Sequence, residues 1–202
     1  MSDIPEILNR AAAAGYRIFT NGAYNVNIIG VRTVGRVANK FDDFLHLVYK
    51  DDGGNWIDHK FSITTDAGTY WLENPSRVDG TASLVAGQYR GADLSGLHRG
   101  QYTALVQHGA AVKVYRDANR DNILDHDPES ITSGYFGINI HRANASVEST
   151  NVEKWSAGCQ VFKKVDDYNK FMQTCKDSAK IYGNSFTYTL IDEKDLRKHL
   201  DT

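Results

Sequence analysis

The sequence predicts a β-rich α+β domain with helices at its N- and C-terminal ends. Three observations carry that prediction. Eleven Tyr and eight Phe stand against only three Pro; the apolar runs alternate more often than they cycle; and Gly/Asp/Asn clusters punctuate them. At 202 residues the chain suits one domain with a full core, taken as 1–202.

The elements follow in order. Within a lead-in over 1–20, Asp3 to about Tyr16 reads as a helix. Ser2 or Asp3 would cap it, Pro5 would sit in its first turn, and Ile7, Leu8 and Ala11 to Ala14 fall at helical spacing before Gly15 stops it. From Ile18 to Tyr70 the apolar positions alternate: Val26 and Ile28, then Phe44, Leu45, Leu47 and Tyr49, then Trp56, Ile57, Phe61 and Ile63. Asp51-Asp52-Gly53-Gly54-Asn55 between the last two runs is a hairpin signature. Gly87 to Tyr102 is Gly-rich and polar, read as loop with short strands. Tyr102 to Val106 and Ala111 to Tyr115 read as a strand pair turning at Gly109. Tyr135 to His141 reads as a strand, and Arg142 to Lys154 as a long polar loop. Asp166 to Tyr182 places Tyr168, Phe171, Met172, Cys175 and Ala179 at helical intervals before Gly183. A strand from Phe186 to Ile191 and a short helix from Asp192 to Leu200 complete the chain.

Charge and apolar content exclude several functions. With 23 basic and 25 acidic residues the formal net charge is -2, so no nucleic acid partner and no anionic membrane surface is expected. No stretch approaches the ~20 apolar residues of a membrane span. Two cysteines do not make a disulfide framework, which turns attention to their thiols. Cys175 lies on the apolar face of the predicted helix and is assigned to the core.

The informative segment covers 134–162. Phe136-Gly137-Ile138-Asn139-Ile140-His141 is followed after 17 residues by Cys159, within Trp155-Ser156-Ala157-Gly158-Cys159-Gln160. An imidazole beside a thiol is the pairing that makes cysteine a nucleophile. A glycine before the cysteine lets the backbone turn tightly, so that the amides of Ala157, Gly158 or Cys159 can converge on an oxyanion. The bland alternative is a core cysteine and a satisfied strand-end histidine.

A histidine near a strand end, then a loop, then Ser-x-Gly-Cys, resembles the catalytic motif of the L,D-transpeptidase family. The matching positions are His141, Ser156, Gly158 and Cys159. The resemblance implies that family's sheet fold and a cysteine acyl-transfer activity on peptidoglycan stem peptides, either L,D-carboxypeptidase or L,D-transpeptidase. Cys159 would attack the stem-peptide carbonyl and expel a terminal D-amino acid, His141 would take the thiol proton, and Ser156 would support the loop. The family pattern has Gly after the His and Arg or Asn two places after the Cys, where this chain has Arg142 and Val161. Arg142, Arg90 and Arg99 are therefore the candidates for a substrate carboxylate, with Tyr89 and His98, from the Gly-rich stretch, as further substrate-binding candidates.

No cofactor is required by this chemistry, but a structural calcium is a candidate. Asp117, Asn119, Asp121 and Asp125 put oxygen ligands at loop positions 1, 3, 5 and 9, with Leu124 at 8. Asn122 replaces the usual Gly and Pro128 the twelfth-position Glu, so an Asx-rich turn is the alternative. A papain-like peptidase is disfavoured because its Cys precedes its His. A zinc hydrolase is disfavoured because no close His pair appears. A non-enzymatic cell-wall-binding module remains the rival from another class. Met1 to Pro5 shows no basic or apolar signal region, so synthesis in the cytosol is expected, with action on the cell wall after phage lysis or dedicated secretion. A monomer or small oligomer is expected.

Overall fold

A computed structural model describes residues 3–35 and 37–197. The fold is α+β and mostly β, as the alternating runs predict. Its first helix, α1, spans Glu6–Ala13 and buries Ile7, Leu8 and Ala11. Pro5 precedes the helix rather than opening its first turn: its carbonyl accepts from Leu8 and Asn9, and Asp3 makes no cap. Ser2, the other expected cap, lies outside the described residues. The helix ends as foreseen, because Gly15 at φ +87° lets Tyr16 N–H reach Ala11 O and Gly15 N–H reach Ala12 O, a Schellman closure.

Strands β1 (Asn27–Arg32), β2 (Asp43–Lys50) and β3 (Trp56–Thr64) follow. The predicted hairpin joins β2 to β3, in register from Asp43↔Ile63 to Lys50↔Trp56. A short helix α2, Thr69–Glu73, intervenes before β4 (Thr81–Leu84). Gly87 to His98 is not loop but one long strand, β5 (Gly87–His98). Its glycines are structural: the missing Cβ at Gly96 leaves room for Val106, whose methyl would stand 2.8 Å away.

The strands β6 (Tyr102–Gln107) and β7 (Val112–Asp117) exist where predicted but do not pair with each other. Strand β6 pairs with β5, whereas β7 pairs with β4 and with β8 (Thr132–Gly134). Gly109 is no hairpin turn. Its N–H bonds Ala92 O, and a Cβ there would stand 1.9 Å from Gly91 O, so the chain crosses from one sheet to another over the β5 backbone. Periodicity is blind to this, since diverging and pairing strands alternate alike.

The expected strand Tyr135 to His141 shrinks to β9 (Ile140–Arg142), and β10 is Gln160–Phe162. Helix α3 spans Val165–Tyr182 and stops at Gly183, φ +87°. Strand β11 is Phe186–Asp192, and α4 is Glu193–Arg197. Asp192 thus belongs to the strand, and the remainder of the expected last helix, to Leu200, lies outside the described residues.

Eight strands close into a barrel in the order β1-β11-β5-β6-β9-β10-β3-β2, and β4-β7-β8 form a second sheet. One core gathers Ile28, Leu47 and Phe61 from the barrel, Leu84 and Val114 from the second sheet, and Phe171 and Cys175 from α3. Cys175 is fully buried, which fits packing and not chemistry. A smaller cluster seats Ile7 and Leu8 of α1 and Leu196 of α4 on the other face of β1, through Ile29 and Val31. Strand β1 is therefore buried throughout. Among the described residues no helix is long and apolar enough to cross a membrane.

Asp93 on β5 is 4% exposed, its Oδ1 has no hydrogen-bond partner among the described residues, and burial pushes its carboxyl up to about 7. The folded state therefore binds a proton that the unfolded chain releases near its ordinary ~3.9, and stability falls as pH rises from there to about 7. Relative to wild type, Asp93→Asn is expected to gain roughly 2–3 kcal/mol in stability between pH 5 and pH 8.5. Denaturant melts at the two pH values check this; parallel shifts at both would refute it.

Candidate active site

The three-residue parallel ladder of β9 and β10 aligns Gln160 with Ile140 and Val161 with His141. Cys159, one residue before β10, thus lies opposite Asn139. On a pleated ladder alternate residues share a face, so Cys159 and His141 lie on the same face, about 6–7 Å apart along the strand direction. Both line one cavity of about 400 Å3, with His98, Arg99, Tyr135 and Trp155 around its walls. A second cavity of about 430 Å3 shares His98, Arg99, His141 and Trp155 and adds Tyr102 and Arg142.

The residues that hold this geometry are mostly ones the motif does not contain. Gln107, at the end of β6, is 1% exposed. Its Oε1 accepts the N–H groups of Phe136, Gly137 and Ile138 at 2.9, 3.0 and 3.2 Å. Its Nε2 donates to Ala110 O and Gly134 O, both at 3.0 Å. The stretch before His141 therefore hangs on a side chain instead of a ladder, which is why the predicted strand is short. Asn139 continues the clamp: its Oδ1 accepts from Gln107 N–H at 2.9 Å, and its Nδ2 lies 3.1 Å from His98 Nδ1. A buried carboxamide between two polar loops was the available signal, but such residues carry no periodicity.

The cysteine loop is closed by hydrogen bonds among its own residues. Ser156, fully buried, donates from Oγ to Cys159 O at 2.8 Å and accepts from Gly158 N–H at 3.1 Å. Gly158 has φ +117°, and a Cβ there would stand 2.3 Å from the Ala82 carbonyl oxygen of β4. With the Gly158 N–H committed to Ser156, Ala157 and Cys159 remain the candidate oxyanion donors.

His141 is 3% exposed. Its Nδ1 lies 2.8 Å from Arg142 O and 3.3 Å from Tyr102 Oη, while that hydroxyl itself donates to Arg142 O at 3.2 Å. A carbonyl can only accept, so Nδ1 carries the proton and Nε2 presents a lone pair. Burial, joined by the stacked His98 ring at 4.1 Å, lowers its pKa to about 3. The base is thus neutral throughout the physiological range. The Cys159 thiol is pushed up, chiefly by burial. Its sulfur donates to Gly137 O at 3.4 Å and accepts from Asn139 N–H at 3.5 Å. The resting pair is therefore neutral thiol and neutral imidazole, not the largely ionised thiolate that proximity alone suggests.

The other candidates divide. His98 and Arg99 line both cavities. Arg142 lines only the second, its guanidinium 4.1 Å over the Tyr102 ring. Tyr89 lines neither: its hydroxyl donates to Val85 O at 2.6 Å, and burial pushes it up to about 12. Arg90 lies in a separate depression with Phe19 and Tyr182. Arg77 and Arg116, not foreseen, line the Cys159 cavity.

The candidate calcium loop is held by its own side chains. Asn119 Nδ2 donates to Asp121 Oδ2 at 3.0 Å and to Asp125 Oδ2 at 2.6 Å. Asp117 Oδ2 accepts from Asp125 N–H at 3.1 Å, and Asp121 Oδ1 from Ile123 N–H at 2.9 Å. Arg120 and Asn122, both at φ +65°, shape the turn. Among the described residues no group of three or more His, Cys, Asp or Glu is placed to hold a metal ion.

Gly158→Ala combines a forbidden φ with a backbone clash and is expected to cost roughly 2–4 kcal/mol in unfolding free energy; an unchanged denaturation midpoint would contradict it. Because the thiol is raised, iodoacetamide labelling of Cys159, located by peptide mapping, is expected to keep accelerating with pH past the ~8.5 of a free thiol. A plateau near pH 6 would show an ion pair instead.

Comparison with protein-family models, with curated proteins and with solved structures gave no match.

Proposed function

We propose that this chain is a cysteine acyl-transfer enzyme of the L,D-transpeptidase type, with that family's sheet fold, acting on peptidoglycan stem peptides. The observation that carries the reading is the tautomer of His141. Its Nδ1 proton is tied to Arg142 O, leaving Nε2 as the unprotonated nitrogen of a ring that lines the same cavity as Cys159.

The steps follow from that pair. His141 Nε2 takes the Cys159 proton as sulfur attacks the stem-peptide carbonyl carbon, and the oxyanion is met by the Ala157 and Cys159 amides. The C–N bond breaks, the imidazolium returns its proton to the leaving D-amino acid nitrogen, and a thioester remains. Water then gives a carboxypeptidase and an amine gives a transpeptidase, with His141 deprotonating either one. The Arg142 carbonyl stabilises the transient imidazolium and fixes its ring. Starting from a neutral pair is compatible with this, because the proton moves during attack and need not be transferred beforehand.

A second reading has its own observation. Sγ is engaged with Gly137 and Asn139 and its thiol is raised, as in a cysteine kept for packing within a binding module.

Mass spectrometry of tetrapeptide and pentapeptide muropeptides incubated with the protein separates the two. Loss or exchange of a terminal D-amino acid is expected with wild type, and a fall of at least about a thousandfold with Cys159→Ala, the scale set by removing a covalent nucleophile. Binding without turnover by wild type would favour the module.

A further inference from the structure

Arg116 on β7 is 9% exposed and lines the Cys159 cavity, although β7 belongs to the second sheet and not to the barrel that carries Cys159. The protein uses its guanidinium only in part. Nη1 donates to Gly80 O at 3.3 Å, Nε to Thr132 Oγ1 at 3.4 Å, and Nε lies 3.6 Å from Asp79 Oδ2. The Phe136 ring lies 4.5 Å from the guanidinium carbon. Nη2 is buried with no acceptor among the described residues. The nearby carboxylate is itself engaged, since Asp79 accepts from Arg77 Nε and Nη2 at 2.8 and 3.2 Å.

Arg77 and Arg99 line the same cavity. Three guanidinium groups thus surround the cavity of the thiol, with Asp79 the carboxylate bonded among them. A buried cation with an unfilled donor is costly to keep unless something accepts from it, and a planar carboxylate is the group whose two oxygens match a guanidinium edge.

We infer that the Cys159 cavity is a carboxylate site, in which Arg116, aided by Arg99 at the rim, holds a free carboxylate of the acyl donor beside the thiol. This rests on the proposed acyl transfer for its biological meaning, but not for its test. It makes the second sheet part of the binding machinery: β7 and β4 carry the anion-holding wall, and the β9–β10 ladder carries the reacting pair. It also sets specificity, favouring donors with a free carboxylate over their carboxamides.

The test uses the full chain and two isosteric alkylating agents, iodoacetate and iodoacetamide. With either, the Cys159 thiolate forms a C–S bond as iodide leaves, and peptide mapping separates Cys159 from Cys175. The iodoacetate-to-iodoacetamide rate ratio at Cys159 is expected to exceed that of glutathione at least tenfold, and to return towards the glutathione value in Arg116→Gln. In wild type alone, D-alanine is expected to protect Cys159 from iodoacetamide and D-alaninamide not to, which decides the matter if the variant fails to fold. A wild-type ratio equal to that of glutathione, together with no protection by D-alanine, overturns the inference. So does a preference abolished by Arg99→Gln and untouched in folded Arg116→Gln. A carboxylate preference without muropeptide turnover supports the site while removing the stem-peptide reading; turnover without the preference does the reverse.

Discussion

The buried carboxamide of Gln107 holds three backbone N–H groups and two carbonyls of two separate segments, and the candidate active site is suspended from it. Phe136 to Ile138 cannot enter a ladder where the chain passes from the second sheet to the barrel. Without Gln107 the buried Ile138 amide would lack its partner, at a cost of roughly 1–3 kcal/mol. Gly137 O then accepts from the Cys159 thiol, and Asn139 links Gln107, His98 and the sulfur. One side chain thereby sets both the depth of the thiol and the approach to His141.

A buried polar network at the end of β1 ties further segments together. Arg32, 1% exposed, donates to Thr65 Oγ1 at 2.9 Å and lies 3.6 Å from Asp66 Oδ1. Asp43 accepts from Thr33 and Thr65, yet burial, followed by repulsion from Asp66, pushes its carboxyl up to about 6. Ser83 of β4 joins this group through Arg32 and Asp66, so the network ties β1 and the segment after β3 to the second sheet. Removing one member would strand a charge, which is where buried ion pairs exert their largest effect on stability. Tyr188 reaches across to Gln160, 2.8 Å from hydroxyl to carboxamide oxygen. Gly30 makes room for it, since a Cβ there would stand 1.9 Å from the hydroxyl oxygen. The residue after the cysteine is thus braced from the opposite wall.

The state of His141 belongs to the same rigid frame. His141 is oriented by a carbonyl and a tyrosine hydroxyl and is desolvated to neutrality, a base ready to accept but not already charged. Two cavities meet at His98, Arg99, His141 and Trp155, so the same imidazole lines both.

Local chemistry made several elements legible in the sequence itself. The α3 helix follows from Tyr168, Phe171 and Cys175 at helical spacing, the β2–β3 hairpin from Asp51 to Asn55, and the Ser156-Gly158-Cys159 loop from residues that hydrogen-bond or turn within a few positions of one another. His141 and Cys159 were identifiable because each sits beside such a local signal. What required the tertiary structure was every choice among non-local partners. Strands β6 and β7 alternate identically whether they pair or part, and only Gly109 pressed against the β5 backbone decides that they part. Gln107, Asn139 and Arg116 act across chain separations that no period or short motif records, and Tyr89 lies outside both cavities, its hydroxyl donating to Val85 O and Lys113 O. Sequence determined which short segments are regular and which residues stand as candidates for chemistry. Packing decided which of them meet, because burial and hydrogen-bond satisfaction are settled between distant segments.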